Sequence, residues 1–164
     1  MDLDHAIIVA LGGNLPGGFA SSEALLEAAL ARFPSVGLSV VAQSRWWRSA
    51  AWPDPAQPEY RNGVALVEAK GGPHAVLAAL LTLEAQFGRQ RSLPNSPRTL
   101  DLDLIAHGRD VFATPDLTLP HPRADARLFV MGPLAEVAPG WRHPVTGETA
   151  ARLAAAATVG LDAC

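Results

Sequence analysis

Apolar residues along the chain follow two periods. Four short segments are apolar throughout or alternate between apolar and polar residues, which is the period of a strand. Two other segments, 21–33 and 73–87, repeat apolar residues every three or four positions, as the buried side of a helix does, and 124–137 and the alanine-rich 149–157 are also predicted to be helical. The predicted strands span 6–11, 36–48, 59–68 and 99–106, and the predicted helices span 21–33, 73–87, 124–137 and 149–157.

Turn and capping residues mark the ends of several of these elements. Ser21 or Ser22 can cap the first helix, and Pro34 stands where that helix should stop. Gly88 follows the second helix in a position that suits a C-terminal cap. Gly12-Gly13 follows the first strand, and we interpret it as a turn.

The element order up to residue 106 is β-α-β-β-α-β. Two β-α-β halves of this kind fit an antiparallel sheet with helices on one face. We therefore expect a ferredoxin-like α+β fold with extra C-terminal helices, in a single domain that spans 1–164. A parallel α/β sheet is the alternative, but strands 36–48 and 59–68 follow each other with no helix between them, which favours the antiparallel arrangement.

Composition narrows the class of protein. Of 164 residues, 49% are hydrophobic and 18% are charged, which is typical of a packed globular domain. The formal net charge is −3, whereas general nucleic-acid and membrane-surface binders are usually basic. The chain begins with an acidic segment, and no apolar run approaches the roughly 18 residues of a membrane span. We expect a cytoplasmic monomer that binds neither nucleic acid nor membranes.

The segment Leu100-Asp101-Leu102-Asp103-Leu104 is the sharpest local signal of chemistry. On a strand the three leucines face the core, and the two aspartates lie about 6.6 Å apart on the opposite side. Neighbouring carboxylates repel each other unless a cation lies between them. Their spacing suits one or two Mg²⁺ ions, which prefer such oxygen ligands. The same pattern also fits a solvated strand face.

Positive side chains cluster near this strand in sequence. The candidates are Arg89, Arg91 and Arg98 on a polar loop, followed by His121, Arg123 and Arg127. Metal-binding carboxylates beside an arginine-rich loop fit a nucleoside triphosphate, because metal ions neutralise phosphate oxygens and guanidinium groups bind the rest. The arginines could instead form structural pairs with Glu84 and the two aspartates. Neither of the common glycine-rich phosphate loops is present.

Six segments along the chain form a recognisable set: ALGGNL at 10–15, QPEYRN at 57–62, EAQFGRQR at 84–91, PRTLDLDL at 97–104, LTLPHP at 117–122 and RLFVMGPL at 127–134. Together they resemble the 6-hydroxymethyl-7,8-dihydropterin pyrophosphokinases of folate biosynthesis. PRTLDLDL is the most specific, because it contains the family's P-R-x-x-D-x-D signature. The resemblance implies an enzyme that transfers diphosphate from ATP to a pterin hydroxymethyl group and releases AMP.

The resemblance also implies roles for individual residues. Asp101 and Asp103 match the ligands of two Mg²⁺ ions, and together with Arg89 and Arg98 they are the expected catalytic residues. The residues matched to ATP are Arg89, Arg91, Arg98, His121 and Arg127 near the phosphates, and Thr118 and the backbone of Leu104 near the nucleoside. The residues matched to the pterin are Tyr60 and Phe129 as stacking rings, Asn62 at the edge of the heterocycle, and the loop with Ser49, Ala50 and Trp52.

Two other functions remain open at the level of sequence. A different magnesium-dependent nucleotidyl- or phosphotransferase would share the aspartate pair but would lack the pocket of Tyr60, Asn62 and Phe129. A ferredoxin-like binding module is the non-enzymatic alternative, in which Tyr60 and Phe129 are ordinary core residues. An RNA-binding version would require a basic balance and a pattern of aromatic residues on the sheet, and this chain has neither.

Overall fold

The computed structural model describes residues 2–51, 54–88 and 99–164, and these form a mixed α/β fold with a five-stranded antiparallel sheet. The strands of the sheet are β1 (Ile7–Gly13), β2 (Ser39–Gln43), β3 (Trp47–Ser49), β4 (Tyr60–Glu68) and β5 (Asp101–His107). The helices are α1 (Ser22–Ala31), α2 (Pro73–Gln86), α3 (Leu128–Val137) and α4 (Ala150–Ala156). The short strands β6 (Phe112–Ala113) and β7 (Thr118–Leu119) form a separate ribbon, which was not predicted.

The strand order is β2-β4-β1-β5, and β3 pairs with β4 beyond the end of β2. Every pairing in this sheet is antiparallel, so the parallel alternative is wrong. The fully buried strand β1 lies between β4 and β5. Its register places Gly12 opposite both Asn62 and Asp101, which come from the two neighbouring strands.

The prediction of a single strand over 36–48 is wrong, because the strand is interrupted between β2 and β3. At the break, Ser44 N donates to Val64 O at 2.9 Å and Ser44 Oγ accepts from Val64 N at 3.0 Å. The serine side chain thus takes the place of a strand carbonyl. Two consecutive tryptophans that follow Arg45 point to opposite faces of the sheet: Trp46 Nε1 donates to Glu27 of α1, and Trp47 Nε1 donates to Glu136 of α3.

One predicted helix cap is confirmed, and several predicted element boundaries differ in the structure. Ser21 Oγ accepts from Ala24 N at 3.0 Å, which confirms Ser21 as the cap of α1. Pro34 lies within a 3₁₀ turn, Phe33–Val36, rather than directly after the helix. The helix predicted over 124–137 is divided into a 3₁₀ turn, Ala124–Ala126, and α3, with Arg127 extended between them. The predicted turn at Gly12-Gly13 is also wrong, because both glycines continue β1.

The sheet carries an apolar core on each face. On the first face, α1 and α2 pack over Val9, Leu11 and the leucines of β5. On the second face, α3 and α4 pack over Ile8 and Ile105. The helices after residue 124 therefore cover the side of the sheet that the first two helices leave open. No helix within the described ranges is long and apolar enough to cross a membrane.

Candidate functional site

A cavity of about 660 Å³ opens on the second face of the sheet. Its walls come from the ends of β1, β3, β4 and β5, from the start of α3, and from residues 158–162. The predicted site residues that line it are Ser49, Ala50, Tyr60, Asn62, Asp101, Asp103, Arg127 and Phe129. The structure thus brings together residues that are up to 80 positions apart in the sequence, since Ser49 and Phe129 both line the cavity.

Strand β5 orients the carboxylate pair as the alternation predicts. Asp101 and Asp103 are half-buried and line the cavity, opposite Gly12 and Ala10 of β1. The leucines between and beside them belong to the core of the first face. Both carboxylates therefore face the same side of the sheet, as a pair of metal ligands on one strand requires.

Asn62 lies at the floor of the cavity, on the strand that flanks β1 on the side opposite the two aspartates. It is 8% exposed, and its Nδ2 donates to Ser49 Oγ at 3.0 Å across the β3–β4 pair. A side chain at Gly12 would place its Cβ 2.8 Å from Asn62 Oδ1, so the glycine makes room for the amide. Gly12 is therefore a site residue that sequence reasoning missed. Its place in the ALGGNL segment was the available signal.

Two aromatic rings border this floor. Tyr60 stands at the first position of β4, and Phe129 stands in the first turn of α3. Both are half-buried and line the cavity, whereas a ring used only for core packing would be closed off from it. Asn14 joins the adjacent segments, because its Nδ2 donates to Pro58 O at 3.2 Å, two residues before Tyr60.

Positive groups also line the cavity. The extended backbone of Arg127 (φ −98°, ψ 114°) caps α3, and its guanidinium carbon lies 5.6 Å from the centre of the Phe129 ring. Arg123 also lines the cavity, although the sequence analysis gave it no ligand. Both cations line the cavity, and Arg127 lies beside the aromatic ring of Phe129.

His121 lies among the same charges. Its N–H donates to Ile105 O at 2.8 Å, and its Nδ1 accepts from Arg123 N at 3.2 Å. Burial lowers the pKa of His121, and the charges of Arg127 and Arg123 lower it further, while Asp101 acts in the opposite direction. The imidazole is therefore neutral near pH 7, and the bond to Nδ1 favours the tautomer with its proton on Nε2.

Some predicted nucleotide contacts are not part of this cavity. The side chain of Leu104 is buried in the core of the first face, and Thr118 is exposed on β7. Neither lines the cavity, and their contact with a nucleoside stays a prediction. Arg89, Arg91, Arg98 and Trp52 lie outside the described residues.

Residues 158–162 form a wall that sequence reasoning missed altogether. No local pattern places this segment near Phe129 or Ala50, because the contact depends on how α3 and α4 fold back over the sheet. Arg123 was visible as a positive group close to His121 and Arg127. Its spacing alone did not show whether it faced the cavity.

The oxygen donors of the carboxylate pair are of the kind that magnesium binds. Asp101 and Asp103 offer hard oxygen ligands, and Mg²⁺ typically takes one or two carboxylates and fills its remaining positions with water and phosphate oxygens. No group of three or more His, Cys, Asp or Glu in ranges 2–51, 54–88 and 99–164 could hold a metal ion. Magnesium binding by this pair of carboxylates stays a prediction.

Comparison with known proteins gives consistent sequence matches. Residues 8–139 match the family model of 7,8-dihydro-6-hydroxymethylpterin-pyrophosphokinase. A Synechocystis protein named 2-amino-4-hydroxy-6-hydroxymethyldihydropteridine pyrophosphokinase is 41% identical over 150 residues, which cover 91% of this chain and 74% of that protein. A Pseudomonas aeruginosa protein of the same name is 39% identical over 138 residues, which cover 84% and 83% of the two chains.

Solved structures give a match at the level of the fold. The crystal structure of Plasmodium falciparum HPPK-DHPS A437G with SDX-DHP aligns with a TM-score of 0.71 at 12% sequence identity. The alignment covers 92% of this chain and 45% of that one, so the chain spans less than half of the solved protein. At this identity the likeness concerns the fold alone.

Proposed function

The chain belongs to the 7,8-dihydro-6-hydroxymethylpterin-pyrophosphokinase family, and we propose that it transfers diphosphate from ATP to the hydroxymethyl group of 6-hydroxymethyl-7,8-dihydropterin. AMP is the second product, and the reaction belongs to folate synthesis. The observation that carries the proposal is one cavity lined by two chemically different sets of residues, called here its charged half and its aromatic half. Paired carboxylates and cations make up the first set, and two rings with a buried amide make up the second.

The aromatic half suits a flat, polar heterocycle. Tyr60 and Phe129 offer ring faces, and stacking on both sides of a pterin is favourable. The Asn62 amide carries two N–H donors and a carbonyl acceptor, and Ser49 Oγ accepts from the amide nitrogen and holds its orientation. A fixed amide can then pair with adjacent donor and acceptor groups on the pterin edge. The backbone of 49–51 lies along the same wall.

The charged half suits the polyphosphate of ATP. Asp101 and Asp103 would hold Mg²⁺, which when bound neutralises the charge that builds up on the phosphate oxygens. Arg127 and Arg123 add positive charge at the cavity wall. His121 does not line the cavity, but the charges of both arginines and of Asp101 act on it, and its neutral ring is proposed to donate its Nε2–H to a phosphate oxygen beside the arginines. Arg89, Arg91 and Arg98 are proposed to add further phosphate contacts, on the evidence of sequence alone.

The transfer itself needs positioning more than covalent catalysis. The pterin hydroxymethyl oxygen forms a bond to the β-phosphorus of ATP, and the bond from that phosphorus to the α,β-bridging oxygen breaks. The bridging oxygen leaves with AMP, and the hydroxyl proton is released. Groups that are fixed before the reaction and face the developing negative charge supply most of the stabilisation.

Phosphorus NMR tests this function directly. The purified protein is mixed with ATP, Mg²⁺ and the reduced pterin alcohol, and the expected products are AMP and the pterin diphosphate. The formation of ADP or free pyrophosphate would instead indicate a different phosphoryl- or nucleotidyltransferase. Asp103→Asn is the matched control, because it should fold normally and form no pterin diphosphate.

For the fold, we propose that β1, α1, β2, β4, α2 and β5 form a ferredoxin-like unit. The strand order β2-β4-β1-β5 and the antiparallel pairings support this assignment. A monomeric state and a cytoplasmic location stay predictions.

A further inference from the structure

Residues 158–164, here called the C-terminal segment, lie beyond the part of the chain that matches the family model, 8–139. The first part of the segment runs beside the start of α3. The N–H groups of Thr158 and Val159 both donate to Ala126 O at 3.0 Å, and Leu128 N donates to Val159 O at 2.9 Å. These bonds fix the segment on both sides of Arg127.

The far end of the segment extends the sheet next to β3. Arg48 N donates to Cys164 O at 2.9 Å, and Cys164 N donates back to Arg48 O at 3.1 Å. The segment therefore crosses the cavity from α3 to β3. It connects the wall that carries Phe129 to the wall that carries Ser49 and Ala50.

Asp162 binds the backbone of the second wall. Its Oδ2 accepts from Ala50 N at 2.6 Å, and both residues line the cavity. Hydrogen bonds to a carboxylate are stronger than those between neutral groups, so this bond restrains the start of the loop after β3. Ser49, the preceding residue, holds the Asn62 amide, so the restraint reaches the floor of the cavity.

Gly160 sets the position of the first wall. Its backbone lies in the left-handed region, with φ +70°, which side chains other than hydrogen disfavour. A Cβ at this position would overlap Cδ1 of the Phe129 ring. Backbone conformation and available space thus both require glycine, and the ring packs directly against the segment.

We infer that Gly160 and Asp162 are positioning residues for the pterin: Gly160 seats the Phe129 ring, and Asp162 holds the Ala50 backbone. The inference rests on the proposed function, since it assigns these walls to the pterin half of the cavity. A ring and a loop that are ordered before binding reduce the entropy lost when the ligand binds. Loss of either restraint should therefore weaken pterin binding and leave the polyphosphate half of the site largely unchanged.

Equilibrium binding to four variants tests the inference. The ligands are 6-hydroxymethylpterin, measured in the presence of Mg²⁺ and α,β-methylene-ATP, and this ATP analogue measured alone with Mg²⁺. In Gly160→Ala and Asp162→Ala the pterin dissociation constant should rise about tenfold or more, while that of the nucleotide changes less than about twofold. Asp162→Asn keeps an oxygen that can accept from Ala50 N, so it should restore most of the pterin affinity.

Asp54→Ala is the matched control. Asp54 Oδ1 accepts from Ala56 N at 3.0 Å in the same connection between β3 and β4, but Asp54 is exposed and does not line the cavity. This variant should bind both ligands as the wild type does. Thermal unfolding of every variant shows whether the fold is kept, and the two Asp162 variants decide the question should Gly160→Ala fail to fold.

Three results would overturn the inference: unchanged pterin affinity in Asp162→Ala, equal losses for pterin and nucleotide, or an Asp162→Asn variant as weak as Asp162→Ala. The proposed function fails separately. A wild-type protein that forms no AMP contradicts the function, whereas a wild type that forms AMP beside variants with normal pterin binding contradicts only the role of the C-terminal segment.

Discussion

Glu84 Oε2 accepts a hydrogen bond from the backbone N–H of Leu102 at 2.8 Å. Among the residues that the structure describes, β5 is the last strand on its side of the sheet, so no further strand in that part of the chain accepts from this N–H. The carboxylate, only 2% exposed, takes that role from the end of α2. The bond reaches β5 between the two aspartates that face the cavity.

Replacing Glu84 should lower stability. Glu84→Leu leaves the Leu102 N–H buried with no acceptor from residue 84, which should reduce the free energy of unfolding by about 1–3 kcal/mol. Glu84→Gln keeps an acceptor and should lose less. Urea denaturation of both variants measures the difference. A leucine variant as stable as the wild type would show that the bond does not hold β5.

The carboxylates of β5 should matter for turnover and little for folding. Asp101→Asn or Asp103→Asn removes a charge and a ligand from the proposed metal site, which should cost several kcal/mol of transition-state stabilisation. The fold should survive, because both side chains face the cavity. The measurement is kcat at saturating ATP and Mg²⁺. Asp110→Asn, which removes a charge beside His107 at the far end of β5, is the control. A normal kcat in either cavity variant would refute the metal assignment.

The rings of Tyr60 and Phe129 should contribute to the binding of the pterin and little to the binding of ATP. Tyr60→Ala or Phe129→Ala should weaken pterin binding far more than ATP binding, since a stacked pair contributes about 0.5–1.5 kcal/mol beyond its buried area. Calorimetry with each ligand gives the comparison. Phe112→Ala serves as the control, because this ring stacks on His74 outside the cavity. Equal losses for both ligands would place the pterin elsewhere.

The arginines of 89–98 should affect the chemical step. Their sequence context predicts that Arg89→Ala and Arg98→Ala slow turnover by orders of magnitude and change the ATP dissociation constant much less, because contacts made mainly in the transition state act on kcat. A smaller effect is expected for Arg91→Ala. Single-turnover kinetics beside equilibrium binding separates the two effects. A defect confined to ATP affinity would make these arginines simple anchors.

His121 should make the stability of the ligand-free protein depend on pH. Its pKa in the folded state lies below the ordinary value of 6.5, so the unfolded chain binds more protons in the interval between these values. Stability therefore falls as the pH drops through that interval. His143, whose pKa burial also lowers, acts in the same direction. Urea unfolding between about pH 5 and pH 8 should show a shallower decline for His121→Gln than for the wild type. An unchanged slope would mean that His121 does not lose its proton affinity on folding.

Local patterns predicted the parts of the site that lie on regular elements. Alternation along β5 placed Asp101 and Asp103 on one face, because the period of a strand leaves little choice. The family resemblance selected Tyr60, Asn62 and Phe129, and the structure brings all three to one cavity.

Long-range packing decided what the sequence could not show. Directly after β2, the side chain of Ser44 accepts the backbone hydrogen bond from Val64 N. A pattern of hydrophobic residues does not reveal such a bond. Gly12 was interpreted as a turn because two adjacent glycines commonly form one, yet the residue that needs the space is Asn62, fifty positions away. The contact of Gly160 with Phe129 exists only after α4 has returned the chain to the start of α3.

Because the apolar core is divided between two faces of the sheet, its two parts can form in a definite order while the chain is being synthesised on the ribosome. The first face is complete once residue 119 has emerged, because α1, α2, β1–β5 and the buried Leu117 and Leu119 all lie before that point. Until α3 and α4 follow, Ile8, Val64 and Ile105 have no cover, and exposed apolar surface of this kind favours aggregation. The pocket is also unfinished until then, since Phe129 and Gly160 form its last wall. The nascent chain thus acquires its sheet well before it can acquire its activity.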